Sequence, residues 1–249
     1  MRPWCRGWLL PSDHRTPGQK VTDAWGERYR ARVNIATTAD ELWAAVETFD
    51  VEAAEIAIAR LLWDVPLSGA VTGVVLPFLQ EVGDRWEAGT ISVAHEHFVS
   101  DMLRRTLTAL AAVPPAPVLA DATAVAPVVL LACPPGERHD MVLLCVALML
   151  RERGVRARFL GADTPVPAIL TAARGSRADA VVLAATRPTM FTAHASALRK
   201  LAADHPLYAA GRGADEQTLA EIGALPLPAD PVRAVVVLVG ALTTLTSRW

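Results

Sequence analysis

Two short stretches hold residue types that could do chemistry. The first runs from Gly83 to Ser100, GDRWEAGTISVAHEHFVS; it contains Trp86 and, ten residues on, the adjacent Glu96-His97 pair. The second runs from Cys133 to Leu144, CPPGERHDMVLL, and contains Glu137-Arg138-His139. A carboxylate two residues before a histidine can engage one ring nitrogen, which fixes the other as a neutral lone pair suited to a metal. Adjacent residues on a helix point about 100° apart. Glu96 and His97 therefore cannot both enter an apolar core, and one or both must face a partner, with Trp86 able to lie beside them across the turn. The plain alternatives are a helical hairpin with solvated charges and a loop whose Glu and His simply meet water.

The elements that must position these residues follow from periodicity. Four helical segments are expected at about 39–49, 51–62, 66–86 and 91–112. Thr38-Ala39-Asp40-Glu41 reads as a capping box for the first, and Asp64 and Pro66 break the second from the third. The last begins after the Gly89-Thr90 turn, with Thr90 or Ser92 as its N-cap. Short connections imply antiparallel neighbours, hence a four-helix bundle over 35–112. Residues 113–127, VPPAPVLADATAVAP, are proline-rich and aperiodic and read as a linker.

From Val128 the texture changes. Strands are expected at roughly 128–132, 155–160, 180–185 and 206–210, with a very short fifth near Leu225. Helices fill about 138–153, 164–174, 190–204 and 214–222, and a last one over 231–247 is opened by Asp230-Pro231. This alternation gives a doubly wound parallel sheet over 128–249, a flavodoxin-like arrangement in an α + α/β chain. Ligands of such sheets sit at the carboxyl ends of the strands, and the loop after the first strand, Pro134 to His139, lies there.

Composition excludes several classes. The chain has 249 residues, 52% of them hydrophobic, and a net charge of −2. No basic stripe points to nucleic acid. Three cysteines, Cys5, Cys133 and Cys145, show neither metal spacing nor a disulfide framework, so a reduced, cytoplasmic setting is expected. The apolar run Met141 to Leu150 ends at Arg151, and Ala234 to Leu245 is too short to span a bilayer; no signal peptide is evident. Residues 1–34 form an extension with Trp4, Trp8, Trp25 and Tyr29, expected to pack on the rest of the chain.

The loop stretch resembles the Asp-x-His-x-x-Gly motif of cobalamin-binding domains, with Glu137 in place of the aspartate and His139 as the histidine. The resemblance implies that His139 replaces the cofactor's own base as lower cobalt ligand, that Glu137 supports it, and that the bundle caps the upper face of the corrin. Trp-x9-Glu-His, here Trp86, Glu96 and His97, is similar to the signature of CarH/LitR-type photoreceptors, which use adenosylcobalamin. Phe159-Leu160-Gly161-Ala162-Asp163-Thr164-Pro165 also resembles that family, and the likeness covers about 38–249. It implies a light sensor rather than an enzyme, with the indole walling the adenosyl group and Glu96 and His97 hydrogen-bonding its ribose.

The sequence departs from that pattern in four places. No MerR-type DNA-binding module is expected, so direct nucleic-acid binding is not, and signalling would run through a homo-oligomer and an unidentified downstream protein. Glu87 stands where such receptors commonly carry a cobalt-trapping histidine, with His95 a substitute candidate. Val142 replaces the motif glycine, and Ala184 and Ala210-Gly211 stand at later Ser and Gly-Gly positions near the nucleotide tail, where Gly211-Arg212-Gly213 could still pass it. Arg187 and Arg212 could meet acidic groups of a cofactor, although surface exposure is the simpler reading. Together with the aromatic extension, these changes are compatible with photocobilins, which hold biliverdin beside cobalamin. A methyl-carrying corrinoid protein of a methyltransferase system is the enzyme-side alternative; His14, His194 and His205 read as solvated or structural.

Overall fold

The computed structural model describes residues 35–112 and 126–246. The aromatic extension and nearly all of the expected linker lie outside them. Helices α1 (Ile35–Thr48), α2 (Val51–Asp64), α3 (Leu67–Ala70), α4 (Leu76–Glu87) and α5 (Val93–Ala112) build the bundle. Five strands follow: β1 (Val128–Ala132), β2 (Arg156–Gly161), β3 (Ala180–Ala184), β4 (Leu207–Ala210) and β5 (Leu225–Pro226). They are linked by α6 (Met141–Glu152), α7 (Val166–Ser176), α8 (Thr189–Thr192), α9 (Ala195–Asp204) and α10 (Glu216–Ile222), and α11 (Pro231–Thr246) closes the described chain. No described helix is long and apolar enough to cross a membrane.

Three local expectations are corrected. Thr38 does not cap α1, which starts a turn earlier at Ile35. Thr38 is buried because it continues the stripe Leu42, Ala45, Val46 at helical spacing. The expected helix over 66–86 is interrupted by a π-helical turn, Val71–Val75, between α3 and α4. Pro77 supplies the reason: it has no N–H to give and its ring crowds the carbonyl four residues back, at Gly73, so the wider turn relieves both. The expected helix over 190–204 is two, separated at Ala193-His194, where His194 leaves helical geometry.

The sheet is wholly parallel in the order β2-β1-β3-β4-β5. Chain direction across the sheet reverses between β1 and β3, so the loops after these two strands form the crevice where such sheets take ligands. Side chains alternate faces along β1. Val129 and Leu131 join α6, α11 and the bundle in one continuous apolar core, while Val128, Leu130 and Ala132 pack with α7, α9 and α10 on the other face. Burial on both faces explains why β1 and β3 are nearly unbroken apolar runs.

The bundle is also fastened to the sheet unit by polar contacts. Arg104 of α5 donates to both carboxylate oxygens of Asp140, at 2.5 and 3.2 Å, and Asp140 is the residue after His139. Asp140 is buried whereas Arg104 is half-exposed. Arg151 of α6 donates to the Ala111 carbonyl at the end of α5. Removing one partner of a buried pair strands the other's charge. Arg104→Ala should therefore destabilise the protein by about 2 kcal/mol, less than for a fully buried pair because water still reaches this one. In a double-mutant cycle with Asp140→Asn, read by urea unfolding, the two losses should fall well short of their sum; strict additivity would show that the pair is uncoupled.

Candidate functional site

β1 ends at Ala132 and the chain turns through Pro134, Pro135 and Gly136 before α6 begins at Met141. The turn is held by its neighbours. Gly136 donates its N–H to Asp163 Oδ1 at 2.7 Å, Asp163 N–H donates to the Glu137 carbonyl at 2.8 Å, and Thr164 N–H donates to the Cys133 carbonyl. The Asp163-Thr164 dipeptide after β2 therefore shapes the loop after β1. This is why the helix expected from 138 starts three residues later: residues 137–140 are committed to loop contacts.

Glu137 is the anchor of the loop. It is 1% exposed. Its Oε1 accepts from the His139 N–H at 2.9 Å and sits 2.6 Å from His139 Nδ1. Its Oε2 accepts from the Thr186 N–H and Oγ1, at 2.6 and 2.7 Å. Thr186 follows β3, so this carboxylate ties together the two loops at the reversal point of the sheet. Burial alone would push the Glu137 carboxyl up, but the donors on Thr186 and His139 outweigh it and hold it at about 2. His139 is the reverse case: its side chain is 76% exposed. A carboxylate at Nδ1 places the proton there and leaves Nε2 as an outward-facing lone pair. That is the donor chemistry an axial metal ligand needs.

The other residues singled out from sequence fall as follows. Trp86 sits in the last turn of α4 and is 48% exposed. A tight turn leads into α5: Thr90 donates to the Arg85 carbonyl, and Ser92, not Thr90, opens the helix by accepting from His95 N–H at 3.0 Å. Glu96 and His97 lie in the first turns of α5, with Glu96 Oε2 2.6 Å from His97 Nδ1 and Glu96 Oε1 accepting from Ser100 Oγ at 2.7 Å. Burial pushes the Glu96 carboxyl up, but Ser100, His97 and the nearby charge of His139 bring it below its ordinary value. Arg104, two turns further along the same helix, holds Asp140 beside His139, which brings α5 against the loop after β1.

Val142 is exposed in the first turn of α6, so its bulk faces outward rather than into the core. Ala184 and Ala210 are register partners at the carboxyl edge of β3 and β4, both half-buried. Gly211 has φ +86°, and a Cβ there would lie 2.3 Å from the Ala185 carbonyl oxygen. A Cβ on Gly213 would lie 2.6 Å from the Arg187 backbone. Both glycines are thus required by the packing of the loop after β3 against the loop after β4, whatever else passes there. Arg187 and Arg212 are exposed.

Sequence reasoning missed Thr186, Asp140 and Arg104. Thr186 was legible in principle, as the first polar residue after the apolar strand β3. The Arg104–Asp140 pair joins residues 36 apart and had no local signal. Cys133 is fully buried, and burial, with Asp140 and Glu137 nearby, pushes its thiol up to about 12, so it is no thiolate ligand. Among the described residues, no group of three His, Cys, Asp or Glu could hold a bare metal ion. What the loop after β1 offers is a single outward imidazole nitrogen, that of His139.

The folded value for Glu137 lies below the ordinary 4.5, so its stabilisation is present above that value and is lost as pH falls through about 2. In the cofactor-free protein, Glu137→Gln should cost on the order of 2–3 kcal/mol near neutral pH. The gap between variant and wild type in urea midpoint should narrow progressively below pH 4.5. A gap that stays constant into acid would contradict the assignment of the charge.

Comparison with known proteins bears on both halves. Residues 38–111 and 127–223 each match a B12 binding domain family. The HTH-type transcriptional repressor CarH of Myxococcus xanthus is 36% identical over 158 residues, which are 64% of this chain and 50% of that protein. The HTH-type transcriptional repressor CarA of the same organism is 36% identical over 148 residues, 58% of this chain and 47% of that protein. The chain thus spans about half the length of these relatives. The monomethylamine corrinoid protein of Methanosarcina barkeri shares the fold, with a TM-score of 0.66 over 84% of this chain and all of that one, at 17% identity. With a helical B12-binding domain and a parallel-sheet B12-binding domain in succession, and CarH and CarA as relatives, the chain belongs to the B12-binding proteins and is CarH-like in the part it shares with them.

Proposed function

We propose that this protein is a light sensor that binds adenosylcobalamin between the bundle and the sheet. The reading is carried by one observation: an exposed imidazole, His139, whose Nδ1 is held by the buried Glu137 at the switch point of the sheet, next to the Arg104–Asp140 contact with the helix that carries Glu96 and His97. His139 fits as the lower cobalt ligand in place of the cofactor's own base. Trp86 offers an exposed apolar wall to an adenine or ribose on the opposite face, and Glu96 offers carboxylate oxygens to ribose hydroxyls. The cofactor supplies a cobalt–carbon bond that light can break. This chain contributes a bundle whose contacts differ when the upper group is present or absent, the element a ligand can bias. We further propose that the readout is self-association, through a symmetric dimer or larger assembly in one light state.

The methyl-carrying corrinoid alternative has the shared fold in its favour. A methyl group, however, gives Glu96 and Trp86 no ribose or base to engage. The reading with biliverdin as second chromophore rests on the aromatic extension, which lies outside the described residues, and on Glu87, Val142, Ala184 and Ala210; cobalamin alone is the simpler account.

The test is an absorption spectrum of the protein with adenosylcobalamin before and after green light, with light scattering in both states. A light-dependent spectral change accompanied by a change in mass is expected; an identical mass across a wide concentration range would reject the assembly step. Replacing Glu96 by Ala should weaken adenosylcobalamin by about 1–3 kcal/mol, the worth of hydrogen bonds to a charged group. Methylcobalamin should lose much less, and equal weakening of both would contradict ribose recognition and favour the methyl carrier.

A further inference from the structure

Helices α1 and α2 leave a groove between them on the outside of the bundle. Its volume is about 560 Å³, and Ala44 and Ala45 of α1 and Ala53, Ile56 and Ala57 of α2 line it. Ala45 and Ala57 are buried and form a floor of small side chains, which lets a large ring come close to both backbones. α2 faces the core through Ala54, Ala57, Ile58 and Leu61. Ile56 points the other way and is 64% exposed. The groove shares no residue with the His139 loop or with Trp86, Glu96 and His97.

The rim of the groove is acidic. Helix residues three and four apart are neighbours, which puts Asp40 and Glu47 beside Ala44, and Glu52 beside Ile56. All three carboxylates are exposed, and none has an ion-pair partner among the described residues. Residues 35–64 hold seven carboxylates and one basic residue, Arg60, which is already paired with Glu41. An occupant that suits this groove is apolar, with positive charge beside the apolar groups.

One stretch of the chain has that chemistry. Arg2-Pro3-Trp4-Cys5-Arg6-Gly7-Trp8-Leu9-Leu10 joins two indoles and two leucines to two guanidinium groups. It belongs to the extension, residues 1–34, which carries seven basic and three acidic residues and lies outside the described residues. The groove begins at Glu41, about 9 Å along α1 from Ile35. The 24 residues from 11 to 34 can span several times that distance, so the stretch reaches the groove of its own chain. Another exposed apolar strip, Val236 and Val237 on α11, is a poorer match: Arg233 lies one turn away and that helix holds no carboxylate.

We infer that residues 2–10 dock into the α1–α2 groove of their own chain, with Trp4 and Trp8 against the alanine floor and Ile56, and Arg2 and Arg6 on the acidic rim. The contact bears on the helix that carries Glu96 and His97. Phe49, in the turn between α1 and α2, has φ +54°, a conformation that a bulky residue keeps only when its neighbours hold it. Its ring stacks on His95 with centroids 4.6 Å apart and meets Phe98 edge-on at 5.6 Å. His95 Nδ1 also accepts from the Ser92 N–H at 3.1 Å. His95 is thus committed to bracing the start of α5, which corrects the expectation that it substitutes as a cobalt-trapping histidine. A segment docked across α1 and α2 props the turn on which that brace rests.

Disulfide trapping in the full chain tests the inference, because Cys5 lies within the segment and the other two cysteines, Cys133 and Cys145, are buried. Ala53→Cys puts a thiol in the groove, and Gln217→Cys puts one on an exposed position of α10. With oxidised glutathione, Ala53→Cys should close an internal disulfide with Cys5 at least about tenfold faster than Gln217→Cys. Adding Trp4→Ala and Trp8→Ala should abolish that advantage. Glu47→Lys with Glu52→Lys should reduce it several-fold, and high salt should reduce it in the unreversed protein. The substituted groove residues are exposed, so the bundle should keep its helical circular dichroism. Equal trapping rates at the two positions, or a rate indifferent to both the tryptophan and the charge changes, would overturn the inference. Disulfide-linked dimers of Ala53→Cys in place of the internal bridge would overturn it as well, and would assign the groove to a second copy.

Discussion

The structure depends on one buried carboxylate. Glu137 sits at the switch point between the parallel strands β1 and β3, and it accepts four hydrogen bonds from the His139 and Thr186 loops. Any one of these bonds contributes modestly, but a charge buried without them would cost several kcal/mol. The loops after β1 and β3 are therefore fixed relative to each other by the same group that sets the tautomer of His139. Orientation of His139 and closure of the crevice are consequences of a single constraint.

From there the coupling extends outward. Asp140 follows His139 and is held by Arg104 on α5, the helix that also carries Glu96 and His97. A shift in the ligand loop must therefore move or break a contact to the bundle. The apolar core runs without interruption from the bundle to one face of the sheet, which makes the two units one packed body held at its edge by polar contacts.

Much of this was legible in the sequence. The change from helical periodicity to short β-branched runs at Val128 gave the two-unit architecture, because burial on both faces of β1 and β3 demands such runs. Glu137 and His139 were legible as a pair because their chemistry is local, as was Glu96-His97. What sequence hid was non-local or geometric. Thr186 meets Glu137 across 49 residues, and Arg104 meets Asp140 across 36. Periodicity also misplaced Thr38, whose hydroxyl type suggests a cap while its position on the apolar stripe buries it inside α1. The glycines at 211 and 213 were read as room for a cofactor tail, whereas the close approach of two loops already requires them.

The central claim is that His139, oriented by Glu137, is the lower axial ligand of cobalt. Electron paramagnetic resonance of the protein loaded with cob(II)alamin tests it most directly, with histidine alone labelled with the heavy nitrogen isotope. The axial nitrogen splitting should change to the labelled pattern in the wild type, and in His139→Ala the histidine-derived splitting should disappear. Splitting that keeps the unlabelled pattern in the wild type would mean that the cofactor's own base stays on the metal, and would contradict the account.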